Sequence, residues 1–224
     1  IDAVLKGMDL MGLAQTGTGK TGAFLIPLAH RLLGKEPLHQ VLVLSPTREL
    51  ALQIETEFKS ITAGLGLYSD CFIGGTDVRR DIQKLKRPCH VIIGTPGRIT
   101  DMVRQNALNL NRISVLVLDE FDRLLDMGFS TDIMRLAEAM PKRNQTILFS
   151  ATEDKSQKPL ISRLLQEPLI VRLKKENTSG DTIDQEIIRV REGENKMHKL
   201  VSMLNDPGFE KVLVFADTKR WVSK

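Results

Sequence analysis

Asp9-Leu10-Met11-Gly12-Leu13-Ala14-Gln15-Thr16-Gly17-Thr18-Gly19-Lys20-Thr21 decides how the rest of this chain is read. Asp9 to Ala14 has the composition of a short buried strand. Gly17 and Gly19 let the backbone turn tightly and aim successive N–H groups at an anion. A helix beginning near Lys20 would turn its positive dipole end toward the same point. Lys20 is then placed for the β- and γ-phosphates of a nucleotide, and the Thr21 hydroxyl for Mg²⁺. Ala14, Gln15, Thr16, Gly17, Thr18, Gly19, Lys20 and Thr21 form the expected nucleotide cradle, with Ala14 where the pattern usually starts on Gly. An ordinary glycine turn before a helix is the plainer alternative. Gly-Lys-Thr between a strand and a helix argues against it.

Outward from that loop, apolar runs alternate with helical patterns. Val41 to Leu44, Val91 to Ile93, Val115 to Leu118 and Thr146 to Phe149 are continuous apolar runs. Runs without polar alternation suit parallel strands covered on both faces. Helices are expected over Thr47 to Gly64, Asp77 to Lys86, Gly97 to Arg104 and Asp126 to Met140. Leu50, Ile54 and Phe58 recur every fourth residue, which gives one buried face. Pro27 should kink or end the helix after the glycine loop. The alternation predicts an α/β fold, a P-loop domain with a parallel sheet and helices on both faces.

The pattern changes after Leu173. Residues 174–182 are polar and lack periodicity, so they read as a linker between a domain at 1–173 and a second one beginning at 183. In 183–224 a strand (Ile183 to Val190), a helix (Asn195 to Leu204) and a strand (Val212 to Phe215) are expected. That β-α-β start is too short to bury a core alone.

The chain has 224 residues, 42% of them hydrophobic, which excludes wholesale disorder. A formal charge of +4 permits a polyanionic partner without requiring one. Cys71 and Cys89 lack metal-ligand spacing and are expected to be buried thiols of a cytosolic protein; the four histidines are scattered. No apolar run is long enough to span a bilayer.

A phosphate loop needs a carboxylate near the metal. Val115-Leu116-Val117-Leu118-Asp119-Glu120 supplies two at the end of a strand, the edge where open α/β sheets bind ligands. Asp119 is the candidate to hold Mg²⁺ with Thr21, and Glu120 to orient the attacking water. By themselves these acids would pass for a solvated loop. Together with Lys20 they point to ATP hydrolysis.

Asp119-Glu120-Phe121-Asp122, followed by Arg123 to Phe129, resembles the DEAD-box RNA helicase family. Ala14 to Thr21 resembles its motif I, Pro46 to Leu50 motif Ia, and Gly74-Gly75 the paired-glycine motif. Thr95 to Arg98 resembles motif Ib and Ser150-Ala151-Thr152 motif III. Val214 to Thr218 resembles the first motif of the second RecA-like domain. Seven motifs in family order are specific where each tripeptide alone is not. The resemblance implies two RecA-like domains, ATP and Mg²⁺ as ligands, and RNA bound through its backbone. It implies that Pro46, Thr47, Arg48, Gly74, Gly75, Thr95, Pro96, Gly97 and Arg98 grip the RNA. For Arg48 a structural ion pair is an equal alternative; for Arg98 phosphate contact is the preferred reading. It also implies that the Ser150 and Thr152 hydroxyls pair with Asp122 and couple nucleotide to RNA, although both could cap the following helix. A cytoplasmic monomer with protein cofactors and no membrane is expected, with nuclear and organellar settings left open.

One Trp, one Tyr and few Phe leave little from which to build a base-stacking platform, so sequence-independent backbone contact fits. The chain departs from the family at Phe121, where Ala is usual, and the added bulk must pack somewhere. The family's adenine-reading Gln segment would precede Ile1 and its arginine finger would follow Lys224. The chain alone is therefore expected to bind ATP–Mg²⁺ weakly and turn it over about 10³-fold more slowly than the whole enzyme. Two alternatives are an RNA clamp without turnover and a P-loop ATPase acting on proteins or small molecules.

Overall fold

The computed structural model describes residues 1–15, 17–36, 38–152, 154–173, 186–190, 195–205, 208 and 211–216. Thr16, the expected linker at 174–182, and Asp217 and Thr218 lie outside the described residues. The chain divides into two compact units, Ile1–Lys174 and Lys175–Lys224.

The first unit is built on seven strands: β1 (Leu10–Leu13), β2 (Leu38–Leu44), β3 (Ser69–Phe72), β4 (Cys89–Gly94), β5 (Val115–Leu118), β6 (Gln145–Ser150) and β7 (Leu169–Arg172). They form one sheet in the order β3-β4-β2-β5-β6-β1-β7, and every pairing is parallel. Alternate residues of these apolar strands feed two separate cores, as the two-residue period demands. Leu42, Leu44, Ile92, Leu116, Leu118 and Leu148 face one cluster. Val41, Val43, Val91, Ile93, Val115 and Val117 face the other.

Helices cover both faces. The second cluster takes in α1 (Asp2–Leu5), α2 (Lys20–Leu32) and α3 (Arg48–Ile61) through Val4, Phe24, Leu28, Ile54 and Phe58. The first cluster takes in α5 (Pro96–Arg104), α6 (Phe121–Asp126), α7 (Ser130–Glu138) and α8 (Lys158–Leu164). A short α4 (Val78–Lys84) joins β3 to β4, and Leu85 at its end packs on the same cluster. Connections run outward to β3 on one face and return on the other, as right-handed crossovers require.

Several expectations change. Strands β3 and β7 are additional; β3 (Ser-Asp-Cys-Phe) is half-buried at Ser69 and Asp70 and lacks a continuous apolar run, whereas β7 carries Leu169-Ile170-Val171, a run that sequence reading misses, and its four residues are exposed at the sheet edge. The helix expected from Asp126 to Met140 forms only over Ser130–Glu138; α6, Phe121–Asp126, is additional and ends before it, with Gly128 at φ 81° in the turn between them. Pro27 does not end α2, which continues to Leu32. Phe24, Leu25, Leu28, Ala29 and Leu32 are buried around it, and that packing outweighs the lost amide hydrogen bond.

In the second unit α9 (Lys196–Leu204) forms as expected, and Asn195 Oδ1 accepts from Met197 N at 2.9 Å. The expected strands do not form over the described residues 186–190 and 212–216. Leu213 and Phe215 are 79% and 87% exposed. An apolar run becomes a strand only where a neighbour takes up its backbone groups, and no described strand of this unit does so.

Candidate nucleotide site and nucleic-acid face

The ends of β1, β5 and β6 converge because β6 lies between the other two. One hydrogen bond beyond each strand keeps the edge in register. Ala14 N donates to Ser150 O at 3.0 Å, Asp119 N to Leu44 O at 3.0 Å, and Ser45 N to Gly94 O at 3.0 Å. All the motifs singled out in this unit's sequence therefore lie along one rim, the strands' C-terminal edge.

The loop between β1 and α2 bends at Gly17 (φ 81°) and Gly19 (φ 80°), left-handed positions that glycine takes without strain. Thr18 Oγ1 donates to Gln15 O at 2.8 Å and closes the turn. Lys20 is buried, and its Nζ donates to Ala14 O at 3.1 Å. An ammonium has three donors, so a buried one held by a single carbonyl suits an anion. Thr21 follows it, half-buried, on the first turn of α2. Beside the loop opens a cavity of about 530 Å³, lined by Gly12, Ala14, Lys20, Phe149 and Val171 among others.

Asp119 and Glu120 end β5 and are both buried. Burial pushes the Asp119 carboxyl up to about 6, while the Lys20 charge and a hydrogen bond from Glu120 N (3.0 Å to Oδ1) pull it back. The lysine of the loop and the acid of β5 thus act on each other across β6. Glu120 is the left-handed N-cap of α6 (φ 48°), a rare position for a side-chain-bearing residue. Its Oε2 pairs with exposed Arg123 at 2.9 Å.

Phe121 is fully buried in the cluster containing Leu118, Leu124 and Leu148. Its bulk points into the core and leaves the next residue free. Asp122 Oδ2 accepts from Ala151 N (3.2 Å), Thr152 N (3.1 Å) and Thr152 Oγ1 (3.0 Å). Ser150 differs from expectation: its hydroxyl donates to Thr152 O at 2.7 Å and does not reach Asp122. Neither hydroxyl caps a helix. Asp154 Oδ1 accepts from Ser156 N and starts the following turn.

Along the same rim, Thr47 caps α3 by accepting from Leu50 N at 3.2 Å, and Pro46 is buried before it. Arg48 is exposed, and its guanidinium lies on the backbone of Gly74-Gly75; a Cβ on Gly75 would stand 2.2 Å from Nη2. No carboxylate of the described residues pairs with Arg48. Thr95 and Pro96 are buried at the start of α5, and Gly97 is half-buried.

Arg98 does not face outward. Its Nε donates to Ile73 O at 3.0 Å and its Nη2 to Thr76 O at 2.6 Å, and its Nη1 lies 3.6 Å from the buried Asp81 carboxylate. Those bonds grip the glycine turn from beneath, so phosphate contact is not where this guanidinium is spent. A fork of five donors suits a loop rich in free carbonyls.

The DEAD/DEAH box helicase profile matches residues 1–160. The chain belongs to that family. It is 38% identical over 224 residues to the DEAD-box ATP-dependent RNA helicase CshB of Bacillus subtilis, covering 98% of this chain and 50% of that protein. It is likewise 38% identical to the ATP-dependent RNA helicase CshA of Listeria monocytogenes, covering 98% and 42%. The crystal structure of a DEAD box protein from Methanococcus jannaschii superposes with a TM-score of 0.73 at 32% identity, covering 77% of this chain and 47% of that one. The chain thus spans half or less of the length of these relatives, and its first unit has the RecA-like fold of DEAD-box helicases.

Within this family setting, two residues of the rim escape sequence reading. Arg123 holds Glu120, and the three-residue spacing at a helix start was the available signal. Asp81 anchors Arg98 from a helix that carries no motif, and no sequence signal marks it.

Proposed function

We propose that the chain is the nucleotide-binding part of an RNA-dependent ATPase that opens short RNA duplexes or remodels RNA–protein assemblies. The observation that carries this reading is the placement of Lys20, Asp119, Glu120 and the Asp122–Thr152 bond along one sheet edge. Residues 1–173 would be the ATP-binding domain and 183–224 the start of the second RecA-like domain, joined by a linker at 174–182.

Ala14 to Thr21 would wrap the phosphates, with Lys20 leaving the Ala14 carbonyl for the β- and γ-oxygens. Thr21 and Asp119 would hold Mg²⁺, which neutralises phosphate charge when bound. An ionised Asp119 suits that cation, and Lys20 already favours the ionised form. Glu120 would orient water once its carboxylate is released from Arg123. Asp122 would relay the state of this site to β6 through Thr152. Pro46, Thr47, Arg48, Gly74, Gly75, Thr95, Pro96 and Gly97 would meet the RNA backbone, with Arg98 positioning the glycine turn. Two free buried thiols, Cys71 and Cys89, fit a reducing, cytoplasmic setting.

Steady-state ATP hydrolysis by the full-length protein, with single-stranded RNA, with DNA and with neither, tests this reading. Stimulation by RNA alone, abolished by Lys20→Ala and Glu120→Gln, is expected. Turnover indifferent to RNA would overturn it.

A further inference from the structure

Next to the Gly74-Gly75 turn the sequence Asp77-Val78-Arg79-Arg80-Asp81-Ile82-Gln83-Lys84-Leu85-Lys86-Arg87 places five cations in and just after α4. Their neighbours sort them into two sets. Lys84 lies 3.7 Å from Asp81 and over the Phe72 ring, and Lys84 and Arg87 both act on Asp70 of β3. Those two are partly neutralised. Arg79, Arg80 and Lys86 are exposed and pair with no carboxylate of the described residues. Asp81, buried against Arg98, and Leu85, packed on the core, face inward, and Arg79, Arg80 and Lys86 lie on the exposed side of the segment.

We infer that Arg79, Arg80 and Lys86 form an outboard phosphate track that carries RNA away from the Gly74-Gly75 turn. The inference rests on the RNA reading above. Three points support it. The track starts four residues past Gly75, on a segment whose Asp81 is bonded to the same Arg98 that grips the turn. Arg79 to Lys86 spans roughly 10 Å at about 1.5 Å per residue, the length of about three stacked nucleotides. No aromatic side chain stands among the three cations, so the track would read charge and not base identity. An acidic protein would find charge here too, but the continuity with the glycine turn favours a strand already held there.

The test is fluorescence anisotropy of the 224-residue chain with ATP and Mg²⁺, at several salt concentrations. Two RNAs are compared, one of about 6 nucleotides and one of about 20. For Arg79→Gln/Arg80→Gln/Lys86→Gln we expect about tenfold weaker binding of the long RNA at low salt, and a log–log salt slope shallower by about 2. Binding of the short RNA and the unfolding midpoint should not change. Exchange to Arg79→Lys/Arg80→Lys/Lys86→Arg should restore the long-RNA affinity. Unchanged long-RNA binding in the Gln variant would overturn the track and leave the RNA reading standing. Equal losses on both RNAs would overturn it as a disturbance of the glycine turn. Binding of a polyglutamate peptide as tight as long RNA, with the same loss in the variant, would reassign the surface to protein and overturn it. Wild-type chain that binds neither RNA would remove the RNA reading itself, and the track with it.

Discussion

Asp122 and Thr152, thirty residues apart in sequence, meet through two hydrogen bonds to one carboxylate oxygen, from the threonine's amide at 3.1 Å and its hydroxyl at 3.0 Å. The bonds tie the turn after β5 to the turn after β6 directly above the sheet edge. Thr152→Val should remove only the hydroxyl bond, at a cost of about 1 kcal/mol. Asp122→Ala should cost more, about 1–3 kcal/mol, because it removes a charged acceptor from three hydrogen bonds at once. Ser150→Ala, which leaves Asp122 untouched, should keep RNA stimulation of ATP hydrolysis nearer to wild type than Thr152→Val. Urea unfolding and RNA-stimulated turnover measure the two halves of this prediction; equal effects of Ser150→Ala and Thr152→Val on stimulation would count against it.

Arg98 should matter for stability beyond any contact with RNA. Arg98→Ala removes the guanidinium donors to the Ile73 and Thr76 carbonyls and leaves buried Asp81 with the Thr76 hydroxyl at 3.1 Å and Lys84 at 3.7 Å. The expected loss is roughly 3–5 kcal/mol. Arg98→Lys keeps the charge but not the fork and should recover only part of it. Hydrogen exchange should quicken first at residues 73–77. Wild-type stability in Arg98→Ala would show that the guanidinium is not a strut.

Gly94 is the register partner of Phe72 where β4 runs beside β3. A Cβ there would stand 2.4 Å from the Phe72 carbonyl oxygen and 2.9 Å from Ile99 Cδ1. Backbone cannot yield as a side-chain tip can, so Gly94→Ala should cost at least about 1–3 kcal/mol. It should also disturb Thr95 and Arg98 just beyond. Gly97→Ala, with only Phe129 at 3.9 Å, should be tolerated by the fold. Thermal unfolding of the pair decides it.

Asp119 should destabilise the metal-free chain at neutral pH. Burial moves its carboxyl from 3.8 to about 6, so the folded state holds the proton more tightly than the unfolded one. That cost is absent below about pH 4, grows between pH 4 and 6, and is complete above pH 6, where it reaches about 3 kcal/mol. Asp119→Asn should therefore stabilise the metal-free chain by about 1–3 kcal/mol at pH 8, with a gain that shrinks as pH falls toward 4. A gain independent of pH would sink this account.

Both cysteines should be inert in the folded chain. Burial pushes the Cys71 and Cys89 thiols up to about 12, so almost no thiolate exists at pH 8. Alkylation should await unfolding, and mass spectrometry across a urea titration should find labelling and unfolding at the same midpoint.

The sequence by itself determined the sheet's inner strands, the glycine turn between β1 and α2, and the two acids that follow β5. Those signals are local: a continuous apolar run, a glycine turn before a helix, a carboxylate where a strand ends. It also placed α3 and α5 to within about three residues, since a buried stripe marks both and a capping Thr47 marks the start of α3. Tertiary structure decided what local pattern cannot carry. Pro27 stays helical because its neighbours are buried, and β7 is a strand because β1 takes up its backbone groups. Residues 212–216 have a better strand composition and no described strand beside them. Arg98 and Arg48 look alike in sequence as motif arginines at or near helix starts. One turns inward because Ile73, Thr76 and Asp81 offer it acceptors; the other rests on Gly75 with no carboxylate to claim it among the described residues. A side chain's direction depends on partners brought in from other elements, and only the assembled sheet sets which partners arrive.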